Sequence, residues 1–161
     1  MRIVILSDTH IPDFAKRLPA GLFPSLRRAD LVLHAGDVSS AAVLAEVAEY
    51  APVKAALGNK DGPDVEAWGA RPESMLDIEG VTTALIHDSG PRQGRERRLT
   101  RRFPDARLIV FGHSHIPIDA LVGGVRFLNP GSPTWKRRQP APTFAMATVR
   151  DGRLRTRIVE L

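Results

Sequence analysis

Three apolar runs separated by helical patterns constrain the fold more than any other feature of the chain. The runs are RIVILS (2–7), DLVLHAG (30–36) and PVKAAL (52–57). Each has the length and composition of a buried strand. A short helix is predicted near 20–28 and a longer one over 40–50, with Ser39 or Ser40 as its N-cap. Because strands that alternate with helices lie parallel and are covered on both faces, the chain opens as a βαβαβ unit of an α/β fold.

The sequence after Gly62 instead predicts antiparallel pairs. Three hairpins are expected, in SMLDIEGVTTALIHD (74–88), IDALVGGVRFLN (118–129) and TFAMATVRDGRLRTRIVEL (143–161), turning at Glu79-Gly80, Gly123-Gly124 and Asp151-Gly152. A helix over 92–102 and a buried strand over 106–112 lie between the first two hairpins. Two packed sheets with outer helices accommodate both halves, and 161 residues suit a single domain spanning 1–161.

The composition excludes several classes of protein and site. Apolar residues make up 43% of the chain and charged residues 25%, as in ordinary globular proteins. No apolar run approaches the length of a membrane span, and MRIVILSDTH turns polar too soon for a signal peptide, so we expect a cytoplasmic protein with no membrane partner. The absence of Cys excludes disulfides and thiolate metal sites, so that nitrogen and oxygen atoms must hold any metal ion.

Clusters of polar residues follow five of the predicted strands. They are SDTH (7–10), GD (36–37), GNKD (58–61), HD (87–88) and GHSH (112–115). Each cluster alone is ordinary turn or capping chemistry. Together they place four of the five histidines at the carboxyl ends of strands, where open α/β sheets bind ligands. These side chains are the nitrogen and oxygen ligands of divalent metals. His34 lies inside a strand and is expected to pack or to support a ligand.

The ordered motifs D-x-H, GD, GN-x-D, a strand-end His and GH-x-H closely resemble those of the calcineurin-like metallophosphoesterases. The resemblance is best to the small single-domain phosphodiesterases of the YfcE type and runs from Met1 to about Ser132, including NPGS (129–132). It implies an α/β fold built as a four-layer α/β/β/α sandwich, with two mixed sheets flanked by helices. It also implies a hydrolase that acts on phosphoester substrates.

The resemblance also implies a dinuclear metal centre. Asp8, His10 and His115 would hold one ion, Asn59, His87 and His113 the other, and Asp37 would bridge the two. Residues two apart in an extended segment point to the same side, which would let His113 and His115 serve neighbouring ions and turn Ser114 away. The family mechanism is in-line attack by a hydroxide held between the ions, with Asp37, Asn59 and His113 as the catalytic ligands. Mn²⁺ is the favoured metal, and Fe, Ni, Zn and Co fit the same ligands.

Two residues depart from the family pattern. Lys60 stands where larger relatives have a His that is thought to assist the leaving group, and it would donate a proton, bind phosphate or point into solvent. Asp88 follows the strand-end His where relatives have Gly, and it would support a ligand or add negative charge near the metal. Trp68 and Trp135 would either line a substrate pocket or cover the core.

Other functions remain as alternatives. A eukaryotic retromer subunit resembles this fold and serves as a protein-interaction scaffold, having lost part of its metal set. The basic segment RQGRERRLTRR, between Arg92 and Arg102, is either a solvated helix or a surface that guides nucleic acid to a nuclease site. Related proteins are often dimers or tetramers, so a homo-oligomer is expected.

Overall fold

A computed structural model describes every residue from Met1 to Leu161 and contains ten strands and four α-helices. The strands are β1 (Arg2–Leu6), β2 (Leu31–His34), β3 (Val53–Ala55), β4 (Glu73–Ile78), β5 (Val81–Ile86), β6 (Leu108–Val110), β7 (Ile118–Val122), β8 (Val125–Asn129), β9 (Thr143–Arg150) and β10 (Arg153–Glu160). The helices are α1 (Phe23–Leu26), α2 (Ala41–Ala48), α3 (Pro63–Trp68) and α4 (Arg95–Arg102). None of the helices has the length and apolar character needed to cross a bilayer.

The strands form two mixed sheets of five. In the first sheet the order is β10-β9-β1-β2-β3, with β1, β2 and β3 parallel and β9 antiparallel to β1. In the second sheet the order is β4-β5-β6-β8-β7, with β5, β6 and β8 parallel and an antiparallel strand at each edge. The last hairpin therefore extends the first sheet, while the first two hairpins form the two sides of the second sheet.

The alternation of side chains along each central strand builds the layers. In β1, Ile3 and Ile5 face the second sheet, whereas Val4 and Leu6 face the helices. The core between the sheets is completed by Leu33, Leu85, Leu108, Val110 and Leu128. Val43, Leu44 and Val47 of α2 pack on the outer face of the first sheet, and Leu99 of α4 packs on the outer face of the second. The predicted four-layer α/β/β/α sandwich is confirmed.

Most predicted elements are present, with differences at their ends. The Ser40 hydroxyl accepts the N–H of Ala42, so Ser40 is the N-cap of α2. The helix predicted near 20–28 is a 3-10 turn, Ala20–Leu22, followed by the single turn of α1. The helix predicted over 92–102 begins only at Arg95, because Gly94 has a φ of 69° and interrupts the helical backbone.

The three hairpins turn at the predicted dipeptides. Both residues of each dipeptide have positive φ, from 48° at Glu79 to 84° at Gly124, as a tight two-residue turn requires. Helix α3 was not predicted, because it is only six residues long and begins with a Gly-Pro pair, which is typical of a loop. Pro63 instead occupies the first turn, where its missing N–H costs nothing.

Candidate metal centre

The loops after β1, β2, β3, β5 and β6 meet at the carboxyl edges of the two sheets. They bring together two groups of side chains whose ligand atoms lie within 4.8 Å of one another in each group. The first group is Asp8, His10 and His115, and the second is Asp37, His87 and His113. Asn59 joins the second group. Every residue that the family resemblance implied as a metal ligand is thus found at one place in the fold.

The ligand atoms of the first group lie close to one another. The Nδ1–H of His115 donates to the carbonyl of Trp135 at 2.7 Å, which leaves the Nε2 lone pair facing Asp8 Oδ1 at 3.2 Å. His10 Nε2 lies 3.2 Å from the same nitrogen. Asp8 Oδ1 is buried and has no hydrogen-bond partner. Two ligands of one ion, each about 2.0–2.2 Å from it, lie about 3–3.6 Å apart. The orphaned carboxylate oxygen and the two imidazole nitrogens therefore fit a divalent cation.

The second group repeats this arrangement. The Nδ1–H of His87 donates to the carbonyl of Ala35 at 2.7 Å, so its Nε2 lone pair is turned into the site. That nitrogen lies 3.1 Å from Asn59 Oδ1 and 3.3 Å from His113 Nδ1. Asn59 Oδ1 and His113 Nδ1 are themselves 2.9 Å apart. Two imidazole nitrogens and an amide oxygen at these separations also fit one divalent ion.

Asp37 spans the two groups. Its Oδ1 lies 3.4 Å from His87 Nε2, and its Oδ2 lies 3.6 Å from His10 Nε2. Burial opposes the charge on Asp37, but the imidazole of His87, the N–H of Lys60 and the nearby His10 lower the pKa of the carboxyl to about 2. Asp37 is therefore a carboxylate at any physiological pH, with one oxygen directed at each group.

Burial and nearby charges shift the pKa values of two imidazoles, those of His10 and His87, in opposite directions. Burial lowers the pKa of His10, and the carboxylates of Asp37 and Asp8 oppose this only in part. Burial alone would also lower the pKa of His87, but its interactions with Asp37 and Asp8 raise that pKa above its ordinary value. Burial thus disfavours positive charge on His10, whereas the carboxylates near His87 favour positive charge there.

Comparisons with known proteins agree with this geometry. A model of the calcineurin-like phosphoesterase superfamily domain matches residues 1–152. The chain belongs to this superfamily. A probable metallophosphoesterase of Methanothermobacter thermautotrophicus is 37% identical over 141 residues, which cover 85% of this chain and 80% of the relative.

Two solved structures are similar in fold. Vps29 from Entamoeba histolytica, crystallised as a complex with Zn²⁺, has a TM-score of 0.80 and 22% identity, with 99% of each chain covered. An archaeal phosphodiesterase has a TM-score of 0.75 and 22% identity, covering 99% of this chain and all of the other. At these identities the two structures support the fold.

The ligand loops of this superfamily member adopt an uncommon backbone conformation. Asp8, His10, Asp37, His113 and His115 all have φ between 46° and 67°, the left-handed region that few residues other than Gly adopt, although Asn, Asp and His do so more often than the rest. The prediction that an extended segment points His113 and His115 to the same side is therefore wrong. Instead the left-handed turns send His113 to the second group and His115 to the first. Backbone strain of this kind persists only where the surroundings hold it.

Asp61 is a supporting residue that the predicted ligand set did not include. Its carboxylate accepts the N–H groups of Asp37, Val38, Ser39 and Gly58 at 2.7 to 3.0 Å. It thereby ties the loop after β2 to the loop after β3. Asp61 is the final residue of the GNKD motif, and this motif was the only sequence signal for it. Apart from Gly58, the residues that donate hydrogen bonds to Asp61 lie more than twenty residues away along the chain.

Two glycines allow the ligand loops to approach one another. A Cβ atom at Gly58 would collide with the backbone and carboxylate of Asp37, and one at Gly112 would collide with Ser7 Oγ. Ser7 Oγ in turn donates to Asp8 Oδ2 at 2.6 Å, and the same oxygen accepts the N–H of His113 at 3.0 Å. The glycines of GN and GH therefore serve packing between loops.

The turn that contains NPGS supports the first group. Ser132 Oγ donates to the carbonyl of Asp8 at 2.7 Å, and Thr134 Oγ1 donates to the carbonyl of Thr9 at 2.6 Å. The amide of Asn129 donates to the carbonyl of Gly112 at 2.8 Å and to Ser114 Oγ at 3.1 Å. Ser114 is thus part of the scaffold of its loop.

His34 is buried beneath the site, as its position inside a strand suggested. The N–H of Gly36 donates to Nδ1 at 3.2 Å, so the proton resides on Nε2, which lies 3.1 Å from Thr9 Oγ1. Burial lowers the pKa of His34 to about 4. His34 is therefore a neutral residue that supports the ligand loops from below.

The remaining candidates lie at the rim or outside the site. The Lys60 side chain is exposed, and its backbone N–H donates to Asp37 Oδ1 at 2.8 Å. Asp88 is exposed and its Oδ1 accepts the N–H of Gly90. Trp68 packs on the core between the helices and the first sheet. Trp135 stands edge-on to His115, with 5.0 Å between ring centroids.

The basic segment is not a uniformly solvated helix. Arg95 is buried, with its guanidinium 5.1 Å from the centroid of Phe111, and burial lowers its pKa. Arg98 donates to the carbonyls of Ser89, Pro91 and Gln93 and so holds the loop before α4. Several of the arginines are thus engaged within the protein.

Proposed function

We propose that this chain is a metal-dependent phosphodiesterase of the small YfcE type, with a dinuclear centre. The observation that carries the proposal is the pair of adjacent ligand groups that share the Asp37 carboxylate. In this assignment Asp8, His10 and His115 hold one ion, Asn59, His87 and His113 hold the other, and Asp37 bridges them. Both sheets contribute ligands, so the proposed active unit is one domain spanning 1–161.

The donor set suits Mn²⁺ and also accommodates Fe, Ni, Zn or Co. Two such ions would supply a hydroxide nucleophile near neutral pH and would neutralise the oxygens of the phosphoryl group. The protein contributes the orientation of the ligands. His87 and His115 are aimed by backbone carbonyls, and Asp37 is kept ionised by its neighbours.

Substrate access is proposed on the side of the second group. Asn59 and His113 are exposed, whereas Asp8, His10 and His115 are buried. The exposed pair would therefore meet the phosphoryl group first. Lys60, the candidate proton donor for the leaving group, is exposed beside them. It is therefore not held in the interior of the site.

The test is a panel of phosphoesters assayed with Mn²⁺. We expect hydrolysis of bis(p-nitrophenyl) phosphate in preference to p-nitrophenyl phosphate, and loss of turnover when a chelator removes the metal. Asp64→Asn is a matched control, since Asp64 contacts only the N–H of Ala41 outside the site and should retain full activity. Turnover that persists after complete metal removal would contradict the proposal.

A second candidate is a protein-interaction scaffold, favoured by the similarity to Vps29. The chain exposes Leu121 and Val122 at the free edge of the second sheet, as such a role would use. A protein that binds metal but hydrolyses none of the panel would favour this candidate. Nucleic-acid guidance by Arg92–Arg102 is less supported, and a binding constant for DNA or RNA that is insensitive to salt would exclude it.

The small phosphodiesterases that this chain resembles suggest an assembly of two or four copies. The mass in solution, measured by light scattering, tests this part of the proposal. A monomer at micromolar concentration would contradict it and leave the catalytic assignment intact, because all seven proposed ligands come from one chain.

A further inference from the structure

A cavity of about 390 Å³ opens beside the second ligand group. Asn59, His87 and His113 line one side of it, and Asp88 and Arg102 belong to the remainder of the lining. Its volume matches that of small-molecule sites, which begin near 300 Å³. A phosphodiester whose phosphorus lies at the metal centre would therefore place one of its two substituents in this cavity.

We propose that Arg102 determines substrate specificity by binding an anionic group, a carboxylate or phosphate, on that substituent. The inference rests on the proposed function and names a substrate class for it: phosphodiesters that carry a second negative charge. Arg102 is the only Lys or Arg side chain in the lining. A guanidinium recognises carboxylate and phosphate oxygens through paired hydrogen bonds.

The present partner of Arg102 is one that an anionic ligand can displace. The guanidinium pairs with the carboxylate of Glu73 on the edge strand β4, and the two side chains are 54% and 46% exposed. Exposed ion pairs of this kind contribute little, because water and salt screen them. The guanidinium also lies 5.4 Å from the ring centroid of Phe103, within the range of a cation–π contact.

The neighbouring charges favour Arg102 as the anion-binding group. Arg98 is engaged by three carbonyls of the loop before α4, and Arg95 is buried against Phe111, so neither is free to enter the cavity. Asp88 is the opposing charge in the lining, and its Oδ1 is occupied by the N–H of Gly90. An anionic group is therefore favoured at the Arg102 end of the cavity and disfavoured near Asp88.

The experiment compares two p-nitrophenyl phosphodiesters that differ in one group. Their second alcohol is 3-hydroxypropionate in one and 3-hydroxypropionamide in the other, so that only the negative charge changes. With Mn²⁺-loaded wild-type protein, kcat/KM for the carboxylate should exceed that for the amide about threefold, the value of an ion pair that is partly screened by water. Arg102→Gln should bring the ratio close to one. Glu73→Gln, which removes the competing carboxylate, should increase it.

Arg101→Gln is the matched control, because Arg101 is the preceding residue of α4, carries the same charge and is absent from the cavity lining. It should leave the ratio unchanged. A wild-type ratio near one, or an equal fall in Arg101→Gln and Arg102→Gln, would overturn the inference while the proposed function stands. Hydrolysis of neither ester would overturn the proposed function and the inference with it.

Discussion

The carboxylate of Asp61 is expected to be a large single contributor to the stability of the site loops. It accepts four backbone N–H groups, two on each oxygen. Oδ1 serves Val38 and Ser39, and Oδ2 serves Asp37 and Gly58. Asp61→Asn preserves the shape of the side chain but replaces one acceptor oxygen with an NH₂ donor. Two backbone N–H groups then face a donor in place of an acceptor.

The expected loss follows from those two contacts. A partly buried donor left without its acceptor costs about 1–3 kcal/mol, and hydrogen bonds to a charged acceptor lie at the upper end. Local relaxation and water recover part of this cost, because Asp61 is only partly buried. Asp61→Asn should therefore lower the free energy of unfolding by about 2–5 kcal/mol.

The assay is urea unfolding followed by circular dichroism, in chelator so that metal binding does not contribute. Asp64→Asn is the control, since the Asp64 carboxylate accepts a single exposed N–H, from Ala41. It should cost less than about 1 kcal/mol. An Asp61→Asn variant that unfolds within 0.5 kcal/mol of wild type, on the order of the error of such measurements, would refute the role given to these four hydrogen bonds.

Three further results are expected from the site. Asp37→Asn, which removes the bridging charge, should lower kcat/KM on the order of 10³-fold. His34→Ala should lower kcat/KM less when activity is referred to the folded protein. A larger loss in His34→Ala than in Asp37→Asn would contradict the ligand assignment. Because Lys60 stands where larger relatives have a His, kcat/KM should fall steeply as the pKa of the leaving group rises across a series of phosphodiesters, and Lys60→His should flatten that slope. Burial holds the pKa of His34 at about 4, below its value of 6.5 in the unfolded chain, so the unfolded chain binds the extra proton first. The associated stability is complete above pH 6.5 and should fall by about 2 kcal/mol at pH 5, as urea unfolding at pH 7.5 and pH 5 would measure, and His34→Gln should remove this component.

The layers and turns of this fold could be predicted because local signals determine them. The period of the apolar residues distinguishes β1 to β3 from α2, and a residue followed by Gly is enough to favour each tight hairpin turn. Helix α3 could not be predicted, because six residues are too few to show a helical period of apolar residues. Its stability comes instead from the packing of Val65 into the core.

The composition of the candidate site could be predicted, but its geometry could not. The motifs named Asp8, His10 and the other side chains that meet there, since metal chemistry selects residue types. Their left-handed backbone conformations depend on contacts between distant loops, such as Ser132 with Asp8 and Asp61 with Asp37. Both interpretations of the basic segment, a solvated helix or a nucleic-acid surface, leave its arginines exposed, and nothing in the neighbouring sequence indicates that Arg95 is buried against Phe111.

The number of metal ions bound per chain tests the dinuclear assignment most directly. Protein stripped with chelator, reloaded with Mn²⁺ and freed of excess metal should contain about two ions per chain by elemental analysis. Asp37→Asn should bind fewer, because its bridging oxygens serve both groups. A folded wild-type protein that retains no more than one ion per chain would contradict the dinuclear centre.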